Sequence, residues 1–84
     1  MIANPNRYQE ALDILQEECA EVIVEVSKIR RFGLDEVSWH TNVSHRSTLE
    51  MEIGDMLAMV DILLEKGVIN QDKLDIAKQN KIEK

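Results

Sequence analysis

An all-α fold, an antiparallel helical bundle completed by homo-oligomerisation, is predicted for this chain by three observations. Apolar residues recur at helical spacing over long stretches. Proline occurs once and glycine three times in 84 residues, too few for the many turns of a sandwich or barrel. Aromatic residues are few, at 4%; the single cysteine, Cys19, cannot pair within the chain, which fits a reducing compartment and leaves a small, marginal core without a disulfide to compensate.

The first helix is expected over residues 5–32. Asn4 suits the N-cap and Pro5 the first helical position, where a missing N–H costs nothing. Tyr8, Leu12, Leu15, Cys19, Val22, Val26 and Ile29 then alternate at spacings of four and three, one apolar stripe. Arg30 and Arg31 complement the negative end of the helix dipole, and Gly33 is a natural stop. Such a helix is about 42 Å long, whereas a compact globule of this size has a radius of gyration of about 12 Å. It should protrude from a monomer with its stripe partly uncovered, a defect that self-association repairs.

Residues 34–46 show no sustained period and read as a loop with one short turn, long for a helical connection. The second helix is expected to start at a capping box, Ser47 with Glu50, and to end at Lys66-Gly67. Its main stripe is Leu49, Ile53, Met56, Val60, Leu63 and Leu64, with Met51, Leu57, Met59 and Ile62 outside it, so it should be central in a bundle. Gly54 inside it suggests close backbone approach, because a helical glycine costs about 1 kcal/mol relative to alanine. Asn70 caps a third helix with a thin apolar side. That helix stops without a cap, from which a longer natural chain is expected.

The formal net charge of −6 argues against binding nucleic acid through its phosphates. No apolar run approaches the roughly 20 residues of a membrane span, and the N-terminus does not read as a signal peptide. A cytoplasmic location is expected.

The chemistry lies in the carboxylates. Glu18, Glu21 and Glu25 fall within about 60° of one another on the first helix, at the border of its stripe. Glu52 and Asp55 do the same on the second. Acids on a solvated face would more naturally lie opposite the stripe, interspersed with lysines. Brought together, these edges demand a counter-charge, and the central stretch of the second helix has no basic residue. An all-oxygen donor set suits Mg²⁺, or Mn²⁺, better than zinc.

Glu17-Glu18-x-x-Glu21 followed by Glu52-x-x-Asp55 resembles the EExxE…ExxD signature of the MazG-like, all-α nucleoside triphosphate pyrophosphohydrolases. Lys28-Ile29-Arg30-Arg31-Phe32-Gly33 is similar to the basic end of that family's first motif helix, and Leu49–Leu57 to its LxxExGDxL helix. The similarity spans about residues 12–66. It implies a single MazG-like helical domain over residues 1–84, working as a homodimer or homotetramer. It also implies Mg²⁺-dependent hydrolysis of a nucleoside triphosphate to the monophosphate and pyrophosphate. Carried over, Glu18, Glu21, Glu52 and Asp55 become metal ligands, and Glu17 a residue that orients water.

Glu17 and Glu21 are the candidate proton acceptors; for Glu17 a solvated helical acid is the simpler account. Lys28 and Arg31 could meet phosphates or merely complement the helix dipole. Trp39 could stack on a base and Asn42 bond its edge, although a loop tryptophan more often closes a core or dimer contact. His40 and His45 are expected to be solvent-exposed, and Cys19 to be core. The rival function is a non-catalytic dimeric helical module for interaction, or for binding nucleotide or metal.

Overall fold

In the computed structural model, which describes residues 7–83, the chain forms three helices: α1 (Arg7–Phe32), α2 (His45–Glu65) and α3 (Gln71–Ile82). The expected cap at Asn4 and Pro5 lies outside the described residues. The only β feature among them is an isolated antiparallel bridge between Val37 and Ser44. No described helix is long and apolar enough to cross a membrane.

α1 ends as expected. The Gly33 N–H donates to the Ile29 carbonyl at 2.7 Å, and the glycine turns the chain away at φ 94°. The connection is more ordered than its sequence suggests. Ser38 and Val43 close a small loop by a backbone hydrogen bond, and Asn42 donates to the Ser38 carbonyl from a left-handed conformation, φ 62°, which asparagine tolerates.

α2 starts earlier than the capping box predicted. Ser44, not Ser47, is the N-cap, and its side chain accepts from the Ser47 N–H at 3.1 Å. The reason is tertiary. The loop folds back so that the Glu36 carbonyl accepts from His45 and the Leu34 carbonyl from Arg46. The Thr48 N–H goes to the Ser44 carbonyl. The N–H groups of His45, Arg46 and Ser47, which a helix start leaves open, are thereby met, and the side chains of Ser47 and Glu50 are not needed for them. Asp35 braces the turn through two hydrogen bonds from Arg46, at 3.0 and 3.2 Å, which hold its carboxyl below the usual aspartate range.

At its other end α2 closes in a Schellman motif. Gly67, at φ 75°, donates to the Leu64 carbonyl and Val68 to the Leu63 carbonyl. The Asn70 side chain caps α3, accepting from Lys73 N–H, as the sequence predicts.

α1 and α2 pack against each other as an antiparallel pair, Phe32 against His45 at one end and Ala11 beside Met59 and Ile62 at the other. α3 makes at most marginal contact with them. Among the described residues the buried apolar side chains are Ala11 and Leu63. The extents are 47 × 34 × 14 Å, so the molecule is about one helix thick. Gly54 does not mark a close approach within the chain: nothing lies within 4 Å of where a Cβ would stand.

The stripe of α1 is wider than α2 can cover. Tyr8, Leu12, Ile23 and Val26 remain exposed, Ile23 at 67%, on a flank roughly 80–140° round from the line of Ala11 and Glu25. In α2, exposed Leu57 lies on the corresponding flank. Because the helices run antiparallel, both flanks face the same broad side of the layer. Met51 and Ile62 are exposed elsewhere on α2, so within one chain α2 is not the central helix its composition suggests.

Candidate functional site

The acids meet where α1 crosses the first half of α2. Glu18 and Glu52 are half-buried at the seam and Asp55 is exposed beside them; each offers a carboxylate oxygen, and these oxygens lie within 4.8 Å of one another. Glu52 is the focus. Burial first, then the charges of Glu21, Asp55, Glu18 and Glu25, push its carboxyl above the usual glutamate range. Glu21 is exposed and stands outside the tight trio, yet exerts the largest of those four charge effects. Three of the four acids expected as ligands, Glu18, Glu52 and Asp55, thus come together, while Glu21 and Glu25 act on Glu52 from outside the trio. Glu17 is exposed about 100° round the helix from Glu18 and is not among the acids acting on Glu52.

One turn beyond Glu21, Glu25 is 4% exposed. Its Oε2 lies 3.5 Å from Lys28 Nζ, and its Oε1 lies 3.5 Å from His45 Nδ1 without a hydrogen-bond partner. His45 corrects the sequence reading: it is 5% exposed rather than solvated. As the first residue of α2 it is drawn inward by the same loop carbonyls that set the helix start. Its Nε2 pairs with Glu36 Oε1 at 3.0 Å. A carboxylate only accepts, so that nitrogen carries the hydrogen. The signal for this residue was Ser44 as a cap, which would have put His45 on a helix at the angle of Glu52 and Leu63.

Next to His45 is a cavity of ≈ 320 Å³ lined by Lys28, Phe32, Glu36, Val37, Ser38, Trp39, His40 and His45. Phe32 stacks on His45 at 5.8 Å. Trp39 is 85% exposed, its ring 3.7 Å from that of His40. Of the expected substrate contacts, Lys28 and Trp39 line this cavity. Asn42 shapes the turn and does not line it. Arg31 lies with its guanidinium 4.9 Å from the Phe32 ring centroid. Cys19 is half-buried, within the α1 stripe.

The donor set at the seam is all oxygen and borne on two helices, and the charges that act on Glu52 there are those of acids. Glu52, crowded by like charges, is a group that a divalent ion would relieve. Comparison of the chain with protein-family models, with curated proteins and with solved structures gives no match.

Proposed function

We propose that this protein is a Mg²⁺-dependent nucleoside triphosphate pyrophosphohydrolase of the MazG-like kind, working in the cytoplasm as a homo-oligomer. The observation that carries the reading is the convergence of Glu18, Glu52 and Asp55 within 4.8 Å, with Glu21 close enough to perturb Glu52. These are the acids of the EExxE…ExxD pattern, contributed by both helices.

Glu18, Glu21, Glu52 and Asp55 would hold Mg²⁺, or Mn²⁺, which supplies neutralisation of phosphate charge and a more acidic water. Glu21, exposed at the edge of the trio, is placed to accept the proton of a water attacking the α-phosphorus. Glu17 is left the lesser role of an outlying acid. Lys28, whose side chain is half exposed, stands between the acids and the cavity and can meet phosphate oxygens. Arg31 is a more distant cation for the same phosphates.

A second copy fits the uncovered apolar side. Doubling the one-helix-thick layer would bury Tyr8, Leu12, Ile23, Val26 and Leu57 in a four-helix core. Glu21 and Asp55 lie on the opposite flank of the seam, so their access to substrate would be kept.

Incubating the protein with ribo- and deoxyribonucleoside triphosphates and Mg²⁺ should release pyrophosphate and monophosphate. Glu52→Gln/Asp55→Asn should lower the rate at least about 100-fold, since losing even a group that merely orients a metal ligand costs about 10–100-fold. No turnover of any triphosphate with either metal would overturn the enzyme and favour a non-catalytic helical module.

A further inference from the structure

The seam between α1 and α2 keeps step in sevens. Seven residues up α1 from Glu18 stands Glu25, and seven residues down α2 from Glu52 stands His45. Glu18 meets Glu52, and Glu25 meets His45. Seven residues the other way, Ala11 and Met59 line one hollow. Seven residues are close to two turns of helix, so these three pairs are successive layers of a single alignment.

Apolar side chains alone do not fix that alignment. A stripe of three-and-four spacing repeats every turn. With α2 slid by four residues, Leu15 would face Met59 and Ala11 would face Leu63, both still apolar pairs. What the slip spoils is polar: Glu25 would face Leu49 and Glu52 would face Val22. A slip the other way carries Glu25 past the first residue of α2.

Glu25 has little latitude. It is 4% exposed, and its Oε1, which has no hydrogen-bond partner, faces His45 Nδ1 at 3.5 Å. Its Oε2 lies near Lys28 on its own helix, a contact that travels with α1 and is blind to the level of α2. His45 is equally buried, and Glu36 holds its other nitrogen. A buried charged group left without its partner is strongly destabilising, and the best-attested use of such a group is to specify register.

We infer that Glu25 and His45 are positioning residues, a polar layer that selects the alignment of α1 with α2 in which Glu18 lies opposite Glu52. Its functional sense rests on the metal reading of those acids given above; the alignment itself does not.

The alignment is read as a distance. Spin labels are placed at Gln16→Cys/Glu65→Cys in a Cys19→Ser background, and the labelled chain is diluted with unlabelled chain. Both sites are exposed, and Glu65 lies about 16 Å along the axis from the level of Gln16. Glu25→Leu/His45→Leu makes the layer apolar. It leaves in place the competing constraint, the backbone bonds from the loop carbonyls of Leu34 and Glu36 to the start of α2. The labelled parent should give one distance. The double variant should melt at or above the parent's Tm, as replacement of buried ion pairs by apolar residues often allows. It should show a second distance, the mark of a one-turn slip of about 5 Å. Its Mn²⁺ affinity should fall at least about 10-fold with no ligand altered, the scale of disturbing groups that orient a metal site. Glu25→Gln, whose amide can donate to Nδ1, should keep the single distance. A single distance in the double variant would overturn the inference and give the register to the loop. So would a double variant that does not fold, since the pair would then hold the helices together rather than choose between alignments. A parent that binds no Mn²⁺ while the double variant's distance splits would sink the metal reading and leave this inference standing.

Discussion

Glu52 and Asp35 respond to pH in opposite senses. Asp35 is held low by Arg46, so it contributes stability above the ordinary aspartate value and loses it as pH falls through its folded-state value. Glu52 is held high by burial and by its neighbours' charges. The folded state therefore binds its proton more tightly, and stability falls as pH rises from the ordinary glutamate value to the raised one, the full penalty remaining above it. Mg²⁺ should lift the penalty. At about 100 times its dissociation constant the ion should add roughly 2.7 kcal/mol, read as a higher Tm at pH 7.5 that fades as pH is lowered toward 5. Glu52→Gln should raise the metal-free Tm and lose most of the Mg²⁺ increment. A Tm indifferent to Mg²⁺ at neutral pH would leave the acids as a solvated rim. The grouping of these acids was legible because a helical wheel needs only spacing. The burial of His45 was not, since it depends on Glu25 and Glu36, one from another helix and one from the loop.

At the scale of elements, helix ends were readable where the signal is local and misread where it is not. Gly33, Gly67 and Asn70 act through their own backbone or side chain within a few residues. The start of α2 depends on the carbonyls of Leu34 and Glu36 returning from across the turn, which no window around Ser47 contains. A pair of substitutions separates the two starts. Ser44→Ala should cost about 1 kcal/mol, the usual loss at an N-cap, or roughly 4–8 °C in Tm for a domain of this size. Ser47→Ala should cost a few tenths, because only its hydroxyl contact with Ser44 is lost. The reverse order in thermal melts would restore the Ser47 cap.

For the whole molecule, the long stripe on α1 foretold an uncovered face, and a layer 14 Å thick with exposed Leu12, Ile23 and Leu57 has that face. Which surface a second copy would take was not readable, because it requires knowing which flank α2 leaves open. An Ile23→Asp/Leu57→Asp variant should sediment as a monomer where the parent sediments as a dimer or larger. The parent's Tm, unlike the variant's, should rise with protein concentration. A monomeric parent at high micromolar concentration would remove self-association from the picture.

The weak attachment of α3 has a consequence for how the chain comes apart. A 12-residue helix is too short to persist unaided in water, and this one has little tertiary packing beyond the Schellman turn that leads into it. Its amides are tied to their own opening equilibrium rather than to that of the α1–α2 pair. They will trade hydrogen for deuterium long before the seam does. Unfolding is then a sequence of two events, α3 melting first and the hairpin that carries the acids afterwards.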